Sequence, residues 1–120
     1  MGIGVRVTCA CGGAATYPLG PAPRVPAQCF FPFLCRACRR MSVSDVTSRA
    51  VACDHCGSPD VVPYGHPEAM RAAGPTIVLD CARYDTAWPA ASLRLTDGQY
   101  FCPACGEFTL SFAGTGLLWD

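Results

Sequence analysis

Apolar residues recur at every second position in several short stretches of this chain, and a period of two predicts strands with one buried face. Ile3, Val5, Val7 and Cys9 form the first such stretch. Met41 and Val43 alternate with Ser42 and Ser44 in another, and Phe108, Leu110 and Phe112 alternate with Thr109 and Ser111 in a third. Val61 and Val62 predict a brief strand ending at Pro63, and Ile77-Val78-Leu79 predicts a buried one. Leu93 and Leu95, then Thr96-Asp97-Gly98, then Tyr100 and Phe101 predict a hairpin, because Asp-Gly suits the backbone of a tight turn.

One stretch reads as helix. His66 to Ala73 has Pro67 near the first helical position, Glu68 in the first turn and Gly74 as the stop. Two turns do not stand alone in water, so this segment is expected to lie on the core. Residues 17–33 hold five prolines, which argues against helix and central strand and predicts a loop or loose hairpin. The tail Gly116-Leu117-Leu118-Trp119 is apolar up to the final Asp120 and is expected to dock on the core or to be offered to a partner.

Eight of the ten cysteines come in tight pairs: Cys9-x-Cys11, Cys35-x-x-Cys38, Cys53-x-x-Cys56 and Cys102-x-x-Cys105. Cysteines this close rarely bond to each other in a structural disulfide, whereas a zinc ion takes two such thiolates at two corners of a tetrahedron. Gly12, Gly57 and Gly106 follow three of the pairs. A glycine there suits a knuckle whose backbone N–H groups turn toward sulfur. Two zinc ions per chain are therefore expected, each held by four sulfurs.

Two pairings satisfy that count. Sequential pairing joins Cys9, Cys11, Cys35 and Cys38 in one site and Cys53, Cys56, Cys102 and Cys105 in the other, which keeps strand pairing local. The rival joins Cys35 and Cys38 to Cys53 and Cys56 across a short spacer, and closes Cys9 and Cys11 with Cys102 and Cys105 across the chain ends. Sequential pairing is the expectation. Under it Phe30, Phe31 and Phe33 fold back as a lid over the first site, or else form a docking patch. Cys29 and Cys81 lack a close neighbour in sequence and read as buried core thiols. A substitute ligand or a reactive thiol near Arg83 is the alternative for them.

Charge narrows the functional classes. The formal net charge is zero, and two zinc ions each with four thiolates would bring it to about −4. No global positive field is present for nucleic acid. All nine basic residues are arginine, which excludes Schiff-base and phosphate-loop lysine chemistry. Arg36, Arg39 and Arg40 form the basic cluster, a candidate surface for nucleic acid or for acidic partners. No apolar run has the length of a membrane span. The opening MGIGVRVTCACGG lacks the apolar core of a secretory signal, so a cytoplasmic location is expected.

The knuckles Cys53-Asp54-His55-Cys56-Gly57 and Cys102-Pro103-Ala104-Cys105-Gly106 resemble those of the zinc-ribbon superfamily, doubled in one chain. The resemblance covers the knuckles and their flanking strands. It implies a small, metal-stabilised, β-rich fold of two zinc ribbons with one short helix. Residues 1–46 would form the first ribbon and residues 47–120 the second, with the helix and hairpin inserted. The chain departs from the pattern at the one-residue spacing of Cys9-x-Cys11 and at Arg39, which stands where a knuckle glycine is usual.

Catalysis finds little support. His66-Pro67-Glu68 ahead of Cys102-x-x-Cys105 matches part of the zinc-deaminase signature, but Phe101 replaces its proline and the long helices are missing. Closed four-sulfur sites leave zinc no open position for hydrolysis. The expected function is thus a non-catalytic adaptor or accessory subunit that presents residues 28–34 and the tail to a protein partner. A nucleic-acid-binding ribbon using Arg36, Arg39 and Arg40 is the second reading. A rubredoxin-like iron carrier, with iron in place of zinc, is the third.

Overall fold

The computed structural model describes residues 2–22, 25–48, 51–82 and 88–119, with side chains placed at 4–20, 28–48, 51–82 and 88–115. Among these the chain is almost wholly β. The strands are β1 (Gly2–Cys9), β2 (Ala14–Ala22), β3 (Val25–Cys35), β4 (Met41–Asp45), β5 (Val61–Pro63), β6 (Met70–Ala72), β7 (Ile77–Asp80), β8 (Arg94–Thr96), β9 (Gln99–Tyr100) and β10 (Leu110–Trp119). A sheet of eight strands runs β4-β3-β2-β1-β10-β9-β6, with β5 also on β3, and β7-β8 form a separate pair.

The chain ends meet in the middle of that sheet. β1 pairs antiparallel with β10 from Cys9↔Leu110 to Gly2↔Trp119, so the backbone of the apolar tail is a central strand. The side chains of residues 116–120 lie outside the described set. The alternation read in β1 holds, with Val5 and Val7 buried against Leu110 and Phe112 of the core.

The proline-rich stretch is more regular than expected. Residues 14–22 and 25–35 are both strands, joined antiparallel over Gly20–Ala22 with Gly20↔Phe30 and Ala22↔Val25 in register. β2 meets β1 through Leu19 and meets β3 from Gly20 onward. Pro18 therefore has one strand neighbour, and its missing N–H can face the side that carries no ladder. Phe31 and Phe33 are fully buried in the core rather than folded over a metal site. Phe33 packs against Trp88, with ring centroids 5.5 Å apart.

Residues 66–73 do not form the expected helix. Ala69 and Met70 both donate backbone N–H bonds to the His66 carbonyl, and the chain then extends as β6. Met70 pairs with Tyr100, so the free side of β9 takes this segment as a strand. That tertiary pairing outweighs the weak preference of a two-turn helix. The described residues contain no α-helix, only one 3-10 turn at Ala90–Leu93.

The segment around Asp97-Gly98 turns as expected, but its strands diverge. β8 pairs with β7 while β9 joins β10 and β6. Tyr100 explains the split. Its hydroxyl accepts the Thr96 N–H at 2.7 Å and lies 3.0 Å from the Thr96 Oγ1, which locks the corner in place of a ladder. Gly98 is required because a Cβ there would run into the Ala72 carbonyl. β7 is also less covered than its composition suggests: Leu79 is buried, but Ile77 is 57% exposed.

Tyr64, Tyr100 and Phe112 form the aromatic centre of the core. Tyr100 and Phe112 meet edge to face at 4.9 Å, and Tyr64 meets Phe112 at 5.6 Å. The buried Tyr64 hydroxyl donates to the Phe101 carbonyl at 3.1 Å, and burial pushes its pKa up.

Cys29 and Cys81 are both buried, as expected, but they are bonded to each other as a disulfide. The bond ties β3 to the end of β7 and so fastens the β7-β8 pair to the main sheet. It closes a 52-residue separation, for which chain entropy gives a stabilisation of about 4 kcal/mol. Cys29→Ala/Cys81→Ala is expected to lower the unfolding free energy by an amount of that order, read by denaturant titration. Alkylation of the denatured chain followed by mass spectrometry is expected to label eight cysteines before reduction and ten after it.

Candidate metal centres

The eight paired cysteines gather into two groups of four: Cys9, Cys11, Cys102 and Cys105, and Cys35, Cys38, Cys53 and Cys56. Sequential pairing is therefore corrected. Cys9 and Cys11 meet Cys102 and Cys105, not Cys35 and Cys38, because β1 and β10 are neighbours and bring the two chain ends together. Each group draws its knuckles from both sides of the boundary expected between residues 46 and 47.

The first group sits at one end of the β1-β10 ladder. Cys9 and Cys11 lie at the turn from β1 to β2, and Cys102 and Cys105 lie between β9 and β10. The Sγ atoms of Cys9 and Cys105 are 3.6 Å apart, and those of Cys11 and Cys102 are 3.9 Å apart. The second group lies at the end of β3. There Cys35 is 3.6 Å from Cys56 and Cys38 is 3.6 Å from Cys53, sulfur to sulfur. Within each group all four sulfurs lie within 4.8 Å of one another. A tetrahedral site with metal–sulfur bonds of about 2.3 Å has sulfur–sulfur edges of about 3.8 Å. Both groups have that size, and either could hold a metal ion.

Backbone geometry supports the sulfurs. Cys53 accepts the His55 N–H at 3.3 Å, and Cys35 accepts the Cys38 N–H at 3.4 Å. The knuckle carbonyls of Cys9, Cys35, Cys53 and Cys102 accept N–H bonds from Gly12, Arg39, Gly57 and Gly106 respectively. Gly12, Gly57 and Gly106 have positive φ of 98°, 76° and 75°. Arg39 takes the same left-handed conformation, φ 58°, so the knuckle keeps its geometry without glycine. That conformation costs a non-glycine residue about 1–2 kcal/mol. The Arg39 guanidinium lies over the Phe101 ring, 5.7 Å from its centroid, which offsets part of the cost. Arg39→Gly is expected to leave the melting temperature within a few degrees of the parent. Arg39→Val, a β-branched residue at positive φ, is expected to cost about 1–2 kcal/mol more, read by thermal denaturation.

Crowding divides the thiols by acidity. The Cys11 N–H and then the Thr109 hydroxyl, 3.0 Å from its sulfur, hold Cys9 down at about 6. At Cys35 burial works upward, but the N–H groups of Cys38 and Ala37 outweigh it and bring the thiol to about 7. Burial, reinforced by neighbouring thiols, pushes Cys38 and Cys102 up to about 12. Each group on its own thus mixes ready thiolates with reluctant thiols. A divalent cation removes the conflict, because its charge allows all four sulfurs to ionise.

The remaining candidates are placed elsewhere. The ring of His55 lies 3.2 Å from the Met41 carbonyl, at the rim of the second group and outside the sulfur set. His66 Nδ1 accepts the Glu68 N–H at 3.1 Å, and Glu68 is bound by Arg36. A deaminase-like set is not assembled, since Cys102 and Cys105 group with Cys9 and Cys11. The basic cluster is divided: Arg36 pairs with Asp60 at 2.8 Å and Glu68 at 2.9 Å. Arg39 and Arg40 remain exposed, without a carboxylate partner among the described residues. Arg83 lies outside the described residues. Sequence reading missed Thr109, whose hydroxyl also reaches Cys105 at 3.6 Å. Its place four residues after Cys105 was the available signal. No described helix is long and apolar enough to cross a membrane. Comparison with protein-family models, with curated proteins and with solved structures finds no match, so the resemblance to zinc ribbons rests on the knuckles and their geometry alone.

Proposed function

We propose that this chain is a structural zinc protein holding two ions, and that it acts as a non-catalytic adaptor or accessory subunit for a protein partner. The grouping of the eight thiols into two four-sulfur sets is the observation that supports it. Four protein thiolates complete a tetrahedron, which favours a structural over a hydrolytic role. The ion then replaces core in the knuckles, where Cys11, Cys56 and Cys105 are exposed and little apolar packing holds the turns.

Phe31 and Phe33 are consumed by the core, so the patch at residues 28–34 is not the recognition surface that composition suggested. The Cys29–Cys81 disulfide sits uneasily with a cytoplasmic location, because reduced compartments rarely keep such bonds. The test is metal analysis of protein purified without added metal, with a visible spectrum alongside. Two zinc ions per chain and no colour are expected. Iron with thiolate charge-transfer bands would replace this reading with a rubredoxin-like carrier, and no metal would overturn it.

A further inference from the structure

A cavity of about 380 Å³ lies beside the first thiol group, and the segment Arg39 to Met41 that follows Cys38 also lines it. Tyr17, Met41, Ala104 and Leu110 give it an apolar lining, and Arg39 and Arg40 are the cations that line it. Both arginines are exposed and neither has a carboxylate within ion-pair distance among the described residues, whereas Arg36 has two and Arg94 has one. The cavity is therefore largely apolar, with two arginines on its wall that lack a carboxylate partner among the described residues. Cys9, Cys11 and Cys102 also line it. Thiolate sulfur accepts N–H bonds, so that wall suits a ligand with amide donors.

Met41 also opens β4, the terminal strand of the sheet, whose single strand neighbour among the described residues is β3. An open strand beside an apolar groove is the geometry that takes up an extended peptide. His55 already reaches the Met41 carbonyl and the Ser48 N–H bonds to the Asp45 carbonyl, which leaves Ser42 to Ser44 as the available edge.

We propose that this groove, with the β4 edge, binds an extended acidic segment of a partner protein, apolar side chains in the cavity and carboxylates on Arg39 and Arg40. Nucleic acid fits less well. Arg36 is withdrawn into ion pairs, and Tyr17 is the one ring in the lining on which a base could stack. The proposal deepens the adaptor reading by naming its surface, and it rests on that reading for the thiolate wall.

The test uses the full chain labelled with nitrogen-15, after its metal content has been counted. It is titrated with the acetylated, amidated hexapeptide Leu-Glu-Leu-Glu-Leu-Glu, with the corresponding Leu-Lys peptide and with a single-stranded oligothymidylate. The acidic peptide is expected to shift amides of residues 14–17, 39–45 and 103–104. It should bind at least tenfold more tightly than the basic one and weaken as salt rises. Arg40→Glu is expected to weaken it at least tenfold, and Arg39→Gly severalfold with the knuckle conformation kept. Equal binding of the two peptides, shifts confined to another face, no binding at millimolar peptide, or tighter binding of the oligonucleotide would each overturn the proposal. A chain that holds no metal fails the earlier reading first. A chain with both ions that ignores the acidic peptide fails this one alone.

Discussion

Cys11→Ser and Cys102→Ser are expected to lose the same metal ion, and Cys38→Ser and Cys53→Ser the other. Each single variant should hold one ion where the parent holds two. The combination Cys11→Ser/Cys102→Ser should hold one as well, whereas Cys11→Ser/Cys53→Ser should hold none. These outcomes follow from sulfur–sulfur contacts across 91 residues in one group and 15 in the other. The energetic consequence is large. Structural zinc contributes roughly 10–16 kcal/mol of apparent binding free energy in small domains, and a whole domain has only about 5–15 kcal/mol of net stability. Loss of the first ion should also release the end of the β1-β10 ladder, because Cys9 and Cys105 flank it. Metal counting together with hydrogen exchange at residues 5–9 and 110–114 checks both parts. If Cys11 and Cys38 variants lose the same ion, the grouping is wrong.

Removal of both ions by a strong chelator should unfold the knuckles and lower the melting temperature by at least about 20 °C, by the same linkage of metal binding to folding. The knuckle turns have no core of their own, so the four uncompensated thiolates of each site are left to repel or reprotonate. Phe31, Tyr64, Tyr100 and Phe112 remain as an apolar nucleus, and the Cys29–Cys81 bond still limits the unfolded chain. The metal-free chain is therefore expected to keep part of its strand signal and to refold when zinc is restored. Acid should act in the same direction as chelator. Metal-binding thiols are stabilised as thiolates, so stability is present at neutral pH and lost as protons compete for sulfur on acidification. Circular dichroism with and without chelator, across pH, reads both effects. Unchanged melting after complete metal removal would mean that the thiol groups are not structural metal sites.

The sequence by itself determined the β class and the eight candidate sulfur ligands. Both are local properties. Alternation places Val5 and Val7 on one face whatever they pack against, and a Cys-x-x-Cys turn presents two sulfurs to one ion regardless of the rest of the chain. Arg39 shows how far such local reading extends: it lacks the usual glycine, yet the knuckle demands a left-handed residue and Arg39 supplies it. Only the tertiary structure decided which knuckles meet, that Cys29 bonds Cys81, and that residues 66–73 extend instead of coiling. Loop entropy discriminates weakly here, since closing 91 residues instead of a few dozen costs only about 1 kcal/mol more. The deciding term was the ladder between β1 and β10, which joins the two chain ends. Likewise Met70 left the helical period because β9 needed a partner at Tyr100. Sequence spacing specifies what a segment can bind or form, and long-range strand pairing selects among those choices because it satisfies backbone groups that no local segment can satisfy alone.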